Sequence, residues 1–149
     1  MRLLTALTYY SPHVSGLTVY ARRVVRRLAE RGHEVTVLTS HYRSDLPRRE
    51  VVDAATVLRS PVLFPVNKGV VMPLLLAQAA WLAASHDAVH LYLPQFEAGA
   101  LALLAKLLRR PIVVTYGCDI VLPTRPLQLA FSPLIGWSHT LACSLADKG

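Results

Sequence analysis

A chain of 149 residues, 53% of them apolar, is long enough for one domain with its own core. Its two cysteines, Cys118 and Cys143, have no CxxC spacing and no matching histidine pair, which excludes a disulfide framework and a zinc site and fits unpaired thiols in a reducing cytoplasm. The net charge of +7 is uneven: nine arginines stand against four acids in residues 1–50, and seven basic residues against five acids thereafter, an asymmetry that points to a polyanionic surface or substrate.

In chain order, strand and helix patterns alternate. The run MRLLTALTYY has too short an apolar stretch for a signal peptide, and Arg2–Thr8 reads instead as a buried strand. Leu17–Arg31 carries Leu17, Tyr20, Ala21, Val24 and Leu28 on one stripe at helical spacing, with Gly32 placed for a left-handed C-cap. Glu34–Ser40 is a second strand and Val51–Leu58 a weaker third, with Pro61 and Pro65 marking the loop after it. Val70–Ala84 is an apolar helix. The uncharged stretch around it, residues 69–85, is interrupted by Pro73 and Gln78 and falls short of the about 20 residues a bilayer span takes. Ala88–Tyr92 is a fourth strand, Gln95–Arg109 a helix stopped by Pro111, and Ile112–Thr115 a fifth strand. A short helix over Leu127–Ile135 and a sixth strand over Thr140–Ser144 complete the pattern.

Such alternation, with near-continuous apolar strands, predicts an α/β fold over residues 1–149: a Rossmann-like parallel sheet with helices on both faces. The chain stops at Lys148–Gly149, where a further helix should begin, so the domain is expected to be truncated. In sheets of this kind ligands sit beyond the carboxyl ends of the strands, which directs attention to Tyr9–Gly16, Ser40–Arg43, Tyr92–Glu97 and Tyr116–Arg125.

The first of these loops, YYSPHVSG, ends in Ser15 and Gly16 at a helix N-terminus, where free N–H groups favour an anion and a missing side chain lets it come close. An ordinary N-cap serine and turn glycine would look the same. A nicotinamide dinucleotide site is not expected, because there is no GxGxxG and Ser40–His41 stand where a ribose-binding carboxylate would be. His90 shares one side of the fourth strand with Tyr92, Pro94 and Gln95 open the next loop, and Asp119 lies four residues beyond Thr115. Each is placed to touch a polar ligand, though a core histidine or a helix-capping aspartate would fit as well. Arg22, Arg23, Arg26, Arg27 and Arg31 fall largely on the outer side of the first helix, either as a solvated face or against an anionic membrane surface. Without interleaved aromatics they do not favour nucleic acid. Neither a nucleophile elbow nor HExxH occurs, so hydrolase and protease readings have no support.

Three segments, YYSPHVSGLTVYARRVVRRLAERGHEVTVLTS, DAVHLYLPQFEAGALALLAKLLRRPIVVTYGCDIVLP and HTLACS, taken in order, resemble the N-terminal, acceptor-side domain of the retaining GT-B glycosyltransferases of the family-4-like type. That resemblance implies a Rossmann-like acceptor domain facing a C-terminal donor-binding domain across a cleft. It also implies transfer of a sugar from a nucleotide-diphosphate donor to a lipid, saccharide or small-molecule acceptor with retention, with no metal and no cofactor beyond the donor. By position, Gly16 would lie near the donor diphosphate with Ser15 in the place of a partner glycine. His90, Tyr92, Pro94, Gln95, Tyr116, Gly117 and Asp119 would line the acceptor side. Gly117 and Tyr92 stand where many members carry histidine, and the family's cationic diphosphate contacts and E-x7-E motif belong to the C-terminal domain. The chain is therefore expected to be inactive alone, cytoplasmic, and peripheral on the inner face of the membrane if the arginine helix meets lipid. A non-catalytic acceptor-binding subunit serving a separate donor-binding chain is the alternative.

Overall fold

The computed structural model describes residues 1–66, 69–93, 95, 97–116, 137 and 140–146. Its elements in order are β1 (Arg2–Ala6), α1 (Gly16–Glu30), β2 (Glu34–His41), β3 (Arg49–Val52), β4 (Ala55–Pro61), β5 (Phe64–Val66), β6 (Gly69–Val71), α2 (Pro73–Ser85), β7 (Ala88–Leu93), α3 (Ala98–Leu107) and β8 (Ile112–Tyr116). Six strands form one sheet in the order β3-β4-β2-β1-β7-β8, parallel throughout except for β3. The chain builds outward from β1 to β2 and β4 on one side, then crosses to β7 and β8 on the other. The order therefore reverses between β1 and β7, the place where an open α/β sheet leaves a crevice at its carboxyl edge.

Alternation along the strands divides the core in two. Leu4, Ala6, Leu38, Val89, Leu91 and Leu93 pack with the buried residues of α2 and α3, while Leu7, Val35, Val37, Val57 and Tyr92 pack under Ala21 and Val25 of α1. Right-handed crossovers in opposite directions put α1 on one face and the other two helices on the opposite one. The Rossmann-like fold with helices on both faces is thus as expected.

The buried stripe of α1 is rotated slightly from the expected one: Thr18, Ala21 and Val25 are buried, whereas Tyr20 is half exposed. The helix closes as a Schellman motif. Gly32 has φ +87°, its N–H donates to Ala29 O at 3.0 Å, and the His33 N–H reaches Leu28 O at 3.1 Å.

Four expectations need correction. The third strand is a hairpin, because Asp53 and Ala54 both take positive φ (53° and 63°) and turn the chain between β3 and β4. That is the geometry of a type I′ turn, and an alanine at its second position hides it from sequence reading. Residues 69–71 pair with β5, so α2 starts only at Pro73, whose fixed φ and missing N–H suit the first helical position. Similarly, α3 begins at Ala98 rather than Gln95. Residues 140–145 are helical rather than a strand, with Ala142 buried in the α2–α3 core; a six-residue apolar run does not distinguish the two periods. The helix expected over Leu127–Ile135 lies outside the described residues, as does Cys118; Cys143 is a free, exposed thiol.

Candidate functional site

The loop from β1 to α1 is held at the carboxyl edge of the sheet by its neighbours. The Thr8 carbonyl accepts from the Ser40 N–H (3.2 Å) and from the Thr39 hydroxyl (3.1 Å), and the Ser40 hydroxyl also donates to it. Tyr9 stacks on His13 with ring centroids 4.5 Å apart, and Tyr42, from the loop after β2, stands edge-on to both. The Ser11–Pro12 peptide is cis, and the His13 N–H closes the turn onto Tyr10 O at 3.0 Å.

The deepest anchor is Arg59 of β4. Its side chain is fully buried, donating to Ser11 O at 2.7 Å and Pro47 O at 2.9 Å, and its guanidinium meets the Glu50 carboxylate. A charge this deep is tolerated because carbonyls and a carboxylate replace its water.

The loop delivers Ser15 and Gly16 to the start of α1. Ser15, extended at φ −150°, is the N-cap: its hydroxyl oxygen accepts the Thr18 N–H at 3.2 Å. The Thr18 hydroxyl lies 3.3 Å from Tyr9 O, which ties the cap back to the stacked rings. Gly16 is the first helical residue, is exposed and lacks positive φ; a Cβ built on it would meet nothing within 4 Å. Backbone strain therefore does not require glycine here. What the position offers is open space in front of a helix N-terminus whose first N–H groups have no intrahelical partner.

Across the switch point, β7 carries His90 and Tyr92 on the α1 side, their rings 4.2 Å apart. His90 Nε2 lies 2.8 Å from the Thr115 hydroxyl, and burial lowers its pKa to about 4, so the ring is neutral near pH 7. Tyr92 is wholly buried beneath α1, touching Tyr20 edge-on, and burial drives its hydroxyl pKa upward. It is a core residue, which removes it from the acceptor-side lining. Gln95 is buried just past β7, and its carbonyl accepts the Ala98 N–H at 3.3 Å. Tyr116 ends β8 half exposed. Pro94, Gly117 and Asp119 lie outside the described residues.

Sequence reading missed Glu97. Its buried carboxylate accepts the Met72 N–H at 2.8 Å, fastening the N-terminus of α2 to the loop after β7, and burial raises its pKa. Two signals were present. Glu97 is the lone acid between Asp87 and Asp119, and Arg59 is the lone charge in the strand ATVLRSP.

The arginines of α1 are largely spoken for. Arg22 forms a two-pronged pair with Asp53 of the hairpin turn (2.8 and 3.3 Å), while Arg26 and Arg27 both reach Glu30. Arg22, Arg23 and Arg26, with Val19 and Asp53, line a shallow cavity of about 190 Å³ beside the helix. Among the described residues no His, Cys, Asp and Glu side chains cluster to hold a metal, and no helix is long and apolar enough to cross a membrane.

Residues 15–148 match the family described as glycosyl transferase 4-like domain. No curated protein matches the chain in sequence. Among solved structures, the chain is similar to the sucrose-phosphate synthase of Thermosynechococcus elongatus, with TM-score 0.65 and 14% identity over 98% of this chain. It spans 41% of that protein's length. At this identity the likeness speaks for the fold, and it agrees with the GT-B architecture expected from the sequence.

Proposed function

Because the chain belongs to the glycosyl transferase 4-like domain family, we propose that it is the acceptor-side half of a retaining glycosyltransferase that moves a sugar from a nucleotide-diphosphate donor to a lipid, saccharide or small-molecule acceptor. The observation that carries the reading is Gly16. It opens α1 at the carboxyl edge, beside the switch point, with vacant space where a side chain would stand. Unpaired N–H groups and the positive end of the helix favour a diphosphate there. The Ser15 hydroxyl oxygen already accepts the Thr18 N–H, so in this reading Ser15 shapes the approach and the free backbone N–H groups at the start of α1 do the binding. Tyr116 on β8 and the neutral His90 on β7 lie on the side this reading assigns to the acceptor, while Gln95 is buried just past β7.

The leaving diphosphate develops negative charge, and its stabilisation is usually the largest catalytic contribution. The cations for it come from the donor-binding domain in this reading, so residues 1–149 alone bind substrates without turning them over. The decisive experiment places Gly16→Ala and Gly16→Val in a protein that joins this chain to a donor-binding domain. Donor affinity and transfer rate should fall by tenfold or more in the valine variant, about 1.4 kcal/mol, with an unchanged melting temperature. Wild-type affinity and rate in Gly16→Val would show that the loop does not cradle the donor. Turnover by residues 1–149 alone would overturn the division of labour.

A further inference from the structure

A second surface lies on the opposite side of the sheet from α1, and it is independent of glycosyl transfer. Ordinary surface helices alternate an apolar inner stripe with a charged outer one. Neither α2 nor α3 does so. The inner stripe of α2, Leu75, Ala79, Leu82 and Ala83, is buried in the core, yet its outer stripe is Leu74, Ala77, Trp81 and Ala84. On α3 the exposed residues are Ala100, Leu103, Leu107 and a single charge, Lys106 in the last turn. Leu74 is 58% exposed, Trp81 75%, Leu103 47% and Leu107 73%. Two neighbouring helices on one face of the sheet therefore both turn apolar side chains to solvent, an arrangement that marks an interaction site.

Among the described residues, cations outnumber acids around the C-terminal ends of the two helices, with Lys106, Arg109 and Arg110 against Asp87. No acid occurs in α2 or α3. Lys106 is on α3, Arg109 follows it in the left-handed region (φ 56°) and exposed, and Arg110 donates to Ala83 O (3.1 Å) and Ala84 O (2.9 Å) at the end of α2. Asp87, next in the chain after α2, is held by the Arg2 N–H at 2.6 Å. Trp81 near the end of α2 and Leu107 at the end of α3 thus sit with cations, in the combination that suits the boundary between acyl chains and headgroups.

We propose that the outer face of α2 and α3 docks on an anionic lipid bilayer, with Trp81, Leu103 and Leu107 entering the interface and Lys106, Arg109 and Arg110 meeting the headgroups. A second copy of this chain is the poorer occupant. A two-fold pairing would bring like-charged residues together with no acid on either helix to offset them. The α1 surface is also the poorer lipid contact, since three of its arginines are already paired with Asp53 and Glu30.

The test uses the 149-residue chain and vesicles of phosphatidylcholine, alone or mixed with phosphatidylglycerol. The chain should sediment with the mixed vesicles and be released by salt, and in a W137F background the Trp81 emission should shift to the blue. W81S/L107S changes only exposed side chains, so its circular dichroism and melt should match wild type while its vesicle affinity drops about tenfold or more. K106Q/R109N, with an asparagine that tolerates the left-handed backbone, should lose the preference for the anionic mixture. R23Q/R27Q on α1 should bind within about twofold of wild type. The proposal is overturned if wild type fails to sediment, or if W81S/L107S binds as wild type does. A concentration-dependent dimer that W81S/L107S abolishes would overturn it in favour of self-association, and loss of binding in R23Q/R27Q alone would move the lipid surface to α1. Donor binding and transfer enter none of these measurements, so their outcome leaves the Gly16 reading untouched.

Discussion

The β1–α1 loop and the β7–α3 loop leave adjacent strands at the same edge of the sheet, and each is fastened by one buried charge of opposite sign. In the first, Arg59 donates to the carbonyls of Ser11 and Pro47; in the second, Glu97 accepts the N–H of Met72. The cation has a second charge to lean on in Glu50. Among the described residues the carboxylate has only backbone to lean on, and its burial raises its pKa. The second loop is thus held by a tie whose free energy varies with pH.

Breaking the stronger tie should have the largest effect. Arg59→Met leaves two carbonyls and Glu50 without their donor and should cost about 3 kcal/mol, near the lower end for a broken buried pair because Glu50 is partly exposed. Urea unfolding measures it directly. A loss below about 1 kcal/mol would mean that the ring stack of Tyr9, His13 and Tyr42 holds the loop by itself.

Next in size is the pH dependence around β7. His90 has its pKa lowered from 6.5 to about 4, so the fold favours its neutral form. Its contribution is complete above pH 6.5 and is lost as pH falls toward 4, about 2 kcal/mol of it by pH 5. Glu97 works the other way. Its raised pKa favours the protonated form, so its contribution is complete below 4.5 and is lost as pH rises through the folded value. In wild type the two slopes oppose each other. Glu97→Gln should leave the His90 slope alone, giving a steeper loss of stability on acidification in pH-dependent unfolding. Unchanged slopes in Glu97→Gln would show that Glu97 titrates normally in the fold.

At fixed neutral pH the effects at Glu97 are smaller. Glu97→Ala strands the Met72 N–H and should cost about 1–2 kcal/mol, whereas Glu97→Gln keeps an acceptor there and should stay within about 0.5 kcal/mol of wild type. Equal losses in both would assign the role to the charge rather than to the hydrogen bond. The smallest change belongs to Gly16→Ala. With nothing within 4 Å of its Cβ, it should leave stability within about 0.5 kcal/mol, and a larger loss would mean that the loop is tighter than its geometry indicates.

What could be read from the sequence follows where the side chains carry local information. Parallel strands and the α1 C-cap at Gly32 are written in periodicity and in glycine, and the structure places them accordingly. The hairpin at Asp53–Ala54 was hidden because its turn uses an alanine where asparagine and glycine are usual. Residues 140–145 were misread because a short apolar run fits either period. Tyr92 was assigned to the cleft from its place near a strand's end, but whether a tyrosine there faces ligand or core depends on α1, far away in sequence. The roles of Arg59 and Glu97 were illegible for the same reason. A charge among apolar neighbours is visible in the sequence, while the backbone groups it serves, 48 residues away for Ser11 and 25 for Met72, are not.

The reach of Arg59 also bears on how the chain acquires its shape during synthesis. β1, α1 and β2 are contiguous in sequence, and together they can pair and pack as soon as residue 41 has emerged. The loop between the first two cannot take its final form at that point, because its anchor is made later, on β4. A nascent chain of that length would hold a helix and two strands with the β1–α1 segment still unset, and the edge on which Gly16 is presented would mature only when the fourth strand slides in beside the second.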